Sequence, residues 1–163
     1  NYVALQDQNL GELMKEYEGE ELDKDFFNDF FAGSSRQDMN VEYYFPKNFN
    51  AELNSININV QKDSNIKDAI EIGLSELCPY FTTLFGDLYN KNVQQYYCKF
   101  NNSFTPKFKT VLHLKHDGPF SKQLMIQYMF QTFAGLTTVT VGCEPKNCNI
   151  IEKQTIQIIK SIN

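Results

Sequence analysis

The sequence predicts a single α+β domain with a six-stranded, mostly antiparallel sheet and helices on both of its faces. Three strand-like stretches lie close together late in the chain, at residues 107–115, 123–133 and 136–143. The turn signals Gly118-Pro119 and Ala134-Gly135 separate them, and strands joined by such short connections must run antiparallel. A helical apolar pattern follows at residues 149–162, and 163 residues suffice for one domain with a real core.

The first 33 residues are set apart from the remainder as an acidic, amphipathic helical segment. Apolar residues recur at helical spacing over residues 9–32, and Gly33 is a plausible stop. Residues 1–30 contain nine acids and two lysines, a net charge of −7. The domain proper is therefore expected to occupy residues 34–163.

Two strands and a helix are predicted next. Residues 40–45 favour a strand that ends at Pro46, which has no amide hydrogen to donate. Residues 53–60 alternate strictly between apolar and polar side chains, as in a strand with one solvated face. Ser64 is the expected N-cap of a helix, which Pro79 should end or kink near Cys78. Its apolar stripe comprises Ile66, Ala69, Ile70, Leu74, Leu77, Cys78 and Phe81.

A third strand is predicted at residues 93–100, ahead of the three closely spaced strands. The last helix is expected to begin with Asn149 as N-cap and Glu152 as its capping-box partner. One face of this helix should close over the sheet, and it carries Ile151, Thr155, Ile158, Ile159 and Ile162.

Residues 39–162 resemble the Mog1/PsbP-like family, which includes bacterial domains of the DcrB type. The resemblance is carried by Phe45-Pro46 and the alternating strand at 53–60, by the helix at 63–77, and by the meander that leads into residues 150–162. Family members often end in Ser-Phe, whereas this chain has Ser161-Ile162. The match is one of element order and pattern, without a motif that carries chemistry.

The resemblance implies a protein that is not an enzyme and that binds a partner protein or serves as a subunit of a larger assembly. No catalytic residues can be carried over from the family. The segment 1–33 lies outside the match, and we expect it to dock the partner through an apolar face with acidic neighbours. The residues assigned to this docking face are Phe26, Phe27, Phe30, Phe31, Glu20 and Glu21. The alternative is that this face packs against the domain's own sheet.

Two other readings remain open. A cone-shaped domain of the NTF2/Tim44-like sort would hold a small apolar ligand in a pocket that includes His113. The second reading is a secreted, disulfide-bearing binding domain, in which a disulfide between Cys143 and Cys148 closes a small loop. Free thiols at these two positions are the alternative to that disulfide. Asn101-Asn102-Ser103 is the one glycosylation sequon, which is weak evidence of secretion.

Composition and motifs exclude several classes of protein. The net charge is −5 and the acids concentrate at the front of the chain, which argues against a nucleic-acid partner. No apolar run approaches the roughly 20 residues that cross a bilayer. Metal-ligand spacing, phosphate loops and nucleophile motifs are missing from the sequence, so no metal, cofactor or catalytic residue is predicted. An organellar or other intracellular location is favoured, with secretion as the alternative.

Overall fold

The computed structural model describes the backbone of residues 2–5 and 40–46, and residues 54–105, 107–118 and 121–162. In chain order, the strands and helices of these regions are β1 (Tyr2–Leu5), β2 (Asn40–Pro46), β3 (Ser55–Gln61), α1 (Ile66–Ile72), α2 (Leu74–Leu88), β4 (Gln95–Asn101), β5 (Val111–Asp117), β6 (Leu124–Thr132), β7 (Gly135–Cys143) and α3 (Pro145–Ser161). The helix predicted at residues 9–32 lies outside the described residues.

The strands form one sheet in the order β1-β2-β3-β7-β6-β5-β4, and each neighbouring pair is antiparallel. The predicted α+β class with an antiparallel sheet is confirmed. The expected number of strands was wrong, because the sheet has seven strands instead of six. The additional strand is β1, which extends the edge by pairing with β2. Its four residues precede the helical pattern at 9–32 and were assigned to the same helical segment.

Helix α3 covers one face of the sheet. Alternate residues of the central strands point to it, and Ile56, Tyr128 and Val139 are fully buried there. On the helix, Ile151, Thr155 and Ile159 are buried, and Ile158 and Ile162 pack against the same cluster. The predicted apolar face of the last helix is thus confirmed.

The opposite face of β4, β5 and β6 is covered by α1 and α2. Leu112 and Leu114 alternate with His113 along β5 and pack with Ile66 and Leu77 of the two helices. Strand β5 is therefore buried on both faces, which explains why four successive residues from Val111 onward are buried.

The boundary between α1 and α2 differs from the expectation. Asn65, and not Ser64, caps α1, since its side chain accepts a hydrogen bond of 3.0 Å from the Lys67 amide. The helical path breaks at Gly73, which has φ +81°, and resumes at Leu74. Pro79 does not end the helix near Cys78, because α2 continues through it to Leu88. The turn that lacks the Pro79 amide lies on an exposed side of α2, where solvent can satisfy the free carbonyl.

The start of the last helix also differs from the expectation. Helix α3 begins at Pro145 with Glu144 as N-cap, so the capping box of Asn149 and Glu152 was wrong. Proline suits the first helical position because its missing amide hydrogen has no intrahelical partner there. Cys148 consequently lies in the first turns of the helix and not in a loop.

Candidate functional site

The outward sides of α1 and α2 present an apolar surface to solvent. We call it the α1–α2 outer surface, and it consists of Ile70, Ile72, Tyr80, Leu84 and Leu88, which are 40–58% exposed. The last three are spaced four residues apart on α2 and therefore lie in one row along the helix. Ile70 had been expected in the buried stripe of its helix, and this was wrong.

The inward side of α2 is packed against the rest of the domain. Leu77 and Phe85 are buried, and the ring of Phe85 stacks on His116 with centroids 4.1 Å apart. The disulfide between Cys78 and Cys98 ties the helix to β4. Turning the helix to bury its outer row would break these contacts, so the outer row remains available to another molecule.

Exposed acidic side chains occur on the same two helices as this apolar row. The helices α1 and α2 contain the exposed acids Asp68, Glu71, Glu76 and Asp87. Lys67 is the one basic residue on the two helices. The helices that bear the α1–α2 outer surface thus carry four acids and one lysine, which suits a basic partner electrostatically.

A polar cluster joins α3 to the sheet on the opposite face. Glu152 accepts hydrogen bonds from Tyr128 Oη at 2.7 Å and from Lys115 Nζ at 2.8 Å. Nε2 of His113 lies 3.5 Å from the same carboxylate, outside hydrogen-bond geometry, and has no hydrogen-bond partner among the described residues. The His113 ring stacks on Tyr128 at 4.4 Å and contacts Tyr97 at 4.7 Å. These rings occupy the space beside His113, which is 8% exposed, so no observation favours a ligand pocket around it.

The protonation states in this cluster follow from burial and from the neighbouring charges. Burial lowers the pKa of His113 to about 4, against the attraction of Glu152 and with the repulsion of Lys115. Burial and the bond to Glu152 raise the pKa of Tyr128. Burial alone would raise the pKa of Glu152, but the hydrogen bonds from Lys115 and Tyr128 outweigh it and the net shift is downward. At neutral pH the cluster contains a neutral imidazole, a phenol and an ion pair, which together hold α3 on the sheet.

His116 belongs to a second polar network, on the face of α2. It is fully buried within β5. Its Nε2 lies 3.2 Å from Gln127 Oε1, and Gln127 donates at 3.1 Å to Thr140. Burial lowers the pKa of His116 despite the hydrogen bond to Gln127, so its ring is neutral at pH 7. The Asp117 carboxylate accepts hydrogen bonds from Tyr96 Oη of β4 and from the amide of Gln94, the residue before β4.

All four cysteines are paired in disulfides. Cys78 bonds to Cys98, and Cys143 bonds to Cys148 across the start of α3. No group of three or more histidines, cysteines and carboxylates that could hold a metal ion occurs among the described residues. Within those residues, no helix has the length and apolar character needed to cross a membrane.

An open cleft of about 520 Å³ lies at the end of the sheet where β5 ends and β6 begins, and Pro145 of α3 also lines it. Three of its polar lining residues have partners within the chain: Lys91 donates to the Gly118 carbonyl, and Asp117 binds Tyr96 Oη at 2.7 Å.

The docking residues predicted from the sequence, Phe26, Phe27, Phe30, Phe31, Glu20 and Glu21, lie outside the described residues. The α1–α2 outer surface was missed, because the sequence does not distinguish it from a buried face. The apolar residues of α2 are Leu77, Tyr80, Phe81, Leu84, Phe85 and Leu88, and they follow the spacing of a single apolar stripe. The structure shows that Leu77 and Phe85 are buried whereas Tyr80, Leu84 and Leu88 remain exposed.

Comparisons with known proteins give no assignment. No protein-family model matches the sequence, and a search of the curated proteins finds no match either. One solved structure is similar, that of PA94 from Pseudomonas aeruginosa, a protein of unknown function. It is 10% identical with a TM-score of 0.49, over 79% of this chain and 85% of PA94. A likeness at this level carries no argument about function.

Proposed function

We propose that this chain is a non-catalytic protein-binding domain that works in an oxidising compartment. The α1–α2 outer surface is its binding site. The partner presents an apolar face flanked by lysine or arginine residues, because the helices that bear the apolar row carry four exposed carboxylates and one lysine.

The observation that carries the proposal is the second apolar row of α2. Tyr80, Leu84 and Leu88 are 58%, 40% and 51% exposed, although the helix that bears them is fixed by packing on its other side. A contiguous exposed apolar patch rimmed by polar groups is typical of a protein interaction site. A row of this spacing fits an amphipathic helix or an extended segment of a partner.

The compartment is inferred from the disulfides. Disulfides persist in oxidising environments and are rare in the reducing cytosol. Both pairs here use every cysteine of the chain. This favours the secreted binding domain among the alternatives that the sequence left open, and it counts against the organellar or intracellular location that was favoured first.

The proposal includes the Mog1/PsbP-like resemblance and the docking role of residues 1–33. The sheet with helices on both faces is compatible with that family, whose members bind proteins. The acidic segment then provides a second contact with the same basic partner, since it carries a net charge of −7 over residues 1–30.

The proposal is tested by partner capture with the full chain isolated under non-reducing conditions from its source. The wild-type protein is compared with the double variant Leu84→Glu/Leu88→Glu and with a matched control, Phe133→Ser. Phe133 is 91% exposed and lies on the hairpin between β6 and β7, outside the row that Tyr80, Leu84 and Leu88 form on α2. Support requires that one partner is captured by the wild type and the control, is lost from the double variant, and crosslinks to α2 through a lysine- or arginine-rich segment.

Salt dependence gives a second readout. Binding should weaken as the salt concentration rises, because charges at the rim of an interface are screened. Capture that is unaffected by Leu84→Glu/Leu88→Glu in a folded protein would refute the proposed site. If Leu84→Glu/Leu88→Glu retains capture and deletion of residues 6–33, which leaves strand β1 in the chain, abolishes it, the site would move to that segment and the binding function would stand.

A further inference from the structure

The glycosylation sequon lies where the last strand of the sheet ends. Asn101 is the final residue of β4, and β4 is the terminal strand in the order of the sheet, with β5 as its neighbour among the described strands. Asn102 and Ser103 follow in an exposed turn. The sequon is therefore on the rim of the domain and not within its core.

We propose that Asn101 carries an N-linked glycan. The proposal rests on the oxidising compartment inferred above, because oligosaccharide transfer to asparagine and disulfide formation share that environment in secreted proteins. It extends the proposed function by adding a covalent modification site at the edge of the sheet.

The local geometry engages the side-chain oxygen of Asn101 and leaves the acceptor nitrogen without a hydrogen bond to the described residues. The Asn101 Oδ1 atom accepts hydrogen bonds from the amide and the hydroxyl of Ser103, both at 3.1 Å. The Nδ2 atom, to which a glycan is attached, is bonded to none of the described residues. The turn thus holds Ser103 against the carboxamide oxygen of Asn101 and keeps the nitrogen directed away from this contact.

The transfer itself uses a lipid-linked oligosaccharide pyrophosphate as the donor. The Nδ2 atom of Asn101 attacks the anomeric carbon of the first sugar, and a new C–N bond forms. The bond between that carbon and the pyrophosphate oxygen breaks, and the lipid pyrophosphate leaves with the bonding electrons. The amide proton is lost to a base of the transferase. No oxidant or reductant takes part in the reaction.

A glycan at this position would shield an exposed strand edge. The edge of a sheet presents unpaired backbone groups that can pair with another chain, and proteins protect such edges by covering them. Strand β4 has seven residues and a half-exposed surface, with no proline in it. A bulky, hydrated group at its end would hinder edge-to-edge association of two copies of the domain.

The test expresses the full chain through the secretory pathway of a eukaryotic cell and follows its mobility with and without peptide N-glycosidase. Wild-type protein should shift to lower apparent mass on treatment, and peptide mapping should find Asn101 converted to aspartate. The variants Asn101→Gln and Ser103→Ala should both lose the shift. Two controls should retain it: Asn102→Gln, since that residue is not the acceptor, and Ser103→Thr, which preserves the hydroxyl of the sequon.

A second measurement, on the protein isolated from its source, separates this proposal from the proposed function. Mass analysis of that protein under non-reducing conditions reports the two disulfides independently of the glycan. Disulfide-bonded protein with unmodified Asn101 would overturn the glycosylation proposal and leave the compartment intact. Reduced cysteines in the protein isolated from its source would contradict the inference that it works in an oxidising compartment. A mobility shift that persists in Asn101→Gln would also overturn the assignment, because the modification would then lie elsewhere.

Discussion

Tyr128 of β6 donates a hydrogen bond of 2.7 Å to Glu152 of α3, although the tyrosine is fully buried. Lys115 of β5 donates to the other carboxylate oxygen at 2.8 Å. One carboxylate therefore satisfies groups from two strands and fixes the helix to the face of the sheet that it covers. A buried hydroxyl without an acceptor costs about 1–3 kcal/mol, so the contact constrains how α3 can sit.

Replacing Glu152 by alanine should lower the free energy of unfolding by about 2–4 kcal/mol, because the Tyr128 hydroxyl and the Lys115 ammonium both lose their acceptor. Tyr128→Phe removes the hydroxyl and leaves Glu152 with Lys115. In a double-mutant cycle the two changes should couple by about 1–3 kcal/mol, as measured by denaturant unfolding. Glu144→Gln is the control: its ion pair with Lys146 is exposed and worth at most about 1 kcal/mol. Additive effects of Glu152→Ala and Tyr128→Phe would contradict the role of this bond.

The stability of the domain should fall as the pH is lowered from about 6.5 toward 4. The pKa of His113 is lowered to about 4 in the folded protein, mainly by burial, whereas an unfolded histidine titrates near 6.5. Between these two pKa values the unfolded state therefore binds more protons than the folded state. The stability contributed by neutral His113 is fully present above the unfolded pKa and is lost as the pH falls through the folded pKa. The slope due to one such group is at most about 1.4 kcal/mol per pH unit.

His113→Phe should reduce this slope, because phenylalanine can stack on Tyr128 without titrating. A residual slope should remain from His116, whose pKa is also lowered by burial. Glu152 also contributes, because its lowered pKa adds a further loss of stability at the acidic end of the pH range. The measurement is the urea midpoint at several pH values for both proteins. An unchanged slope in His113→Phe would show that His113 is not held neutral by the fold.

The central sheet and the last helix were predictable because their signals are long and periodic. The segments that became β6 and β7 are nine residues long and rich in apolar or β-branched side chains, and the register follows from the turn between them. Strand β1 was not predictable, since Tyr2–Leu5 is too short to show a period and, among the described strands, pairs with β2 alone.

The candidate site was harder to predict for a different physical reason. The helical spacing of apolar residues identifies the apolar stripe of α2, but it does not say which residues of that stripe are buried against the sheet. That choice is made by partners distant in sequence, such as His116 under Phe85 and Cys98 bonded to Cys78. The pairing of Cys78 with Cys98 could not be deduced, because four cysteines allow three connectivities and spacing does not select one.

The two disulfides should contribute unequally to stability. In the chain-entropy account, the stabilisation grows with the length of the loop that is closed. The separation is 20 residues between Cys78 and Cys98 and 5 residues between Cys143 and Cys148. Replacing both members of a pair by serine should cost about 3 kcal/mol for the longer loop and about 2 kcal/mol for the shorter one. Denaturant unfolding of both variants under non-reducing conditions checks the order, and a larger cost for the shorter loop would contradict it.

Gly135 should tolerate alanine far less well than Gly73. Both have positive φ, +135° and +81°, a region that L-residues with a Cβ rarely adopt. A Cβ on Gly135 would lie 2.3 Å from the Gln61 carbonyl oxygen and 2.8 Å from the Lys62 Cα, since β7 starts against the end of β3. Nothing lies within 4 Å of a Cβ on Gly73, so its substitution adds only backbone strain, on the order of 1–2 kcal/mol. Gly135→Ala adds a clash with backbone atoms that cannot move without breaking the β3–β7 ladder, and it should cost about 3 kcal/mol or more. Thermal unfolding of the two variants gives the comparison, and equal costs would show that the close approach of Gly135 to Gln61 does not constrain the sheet.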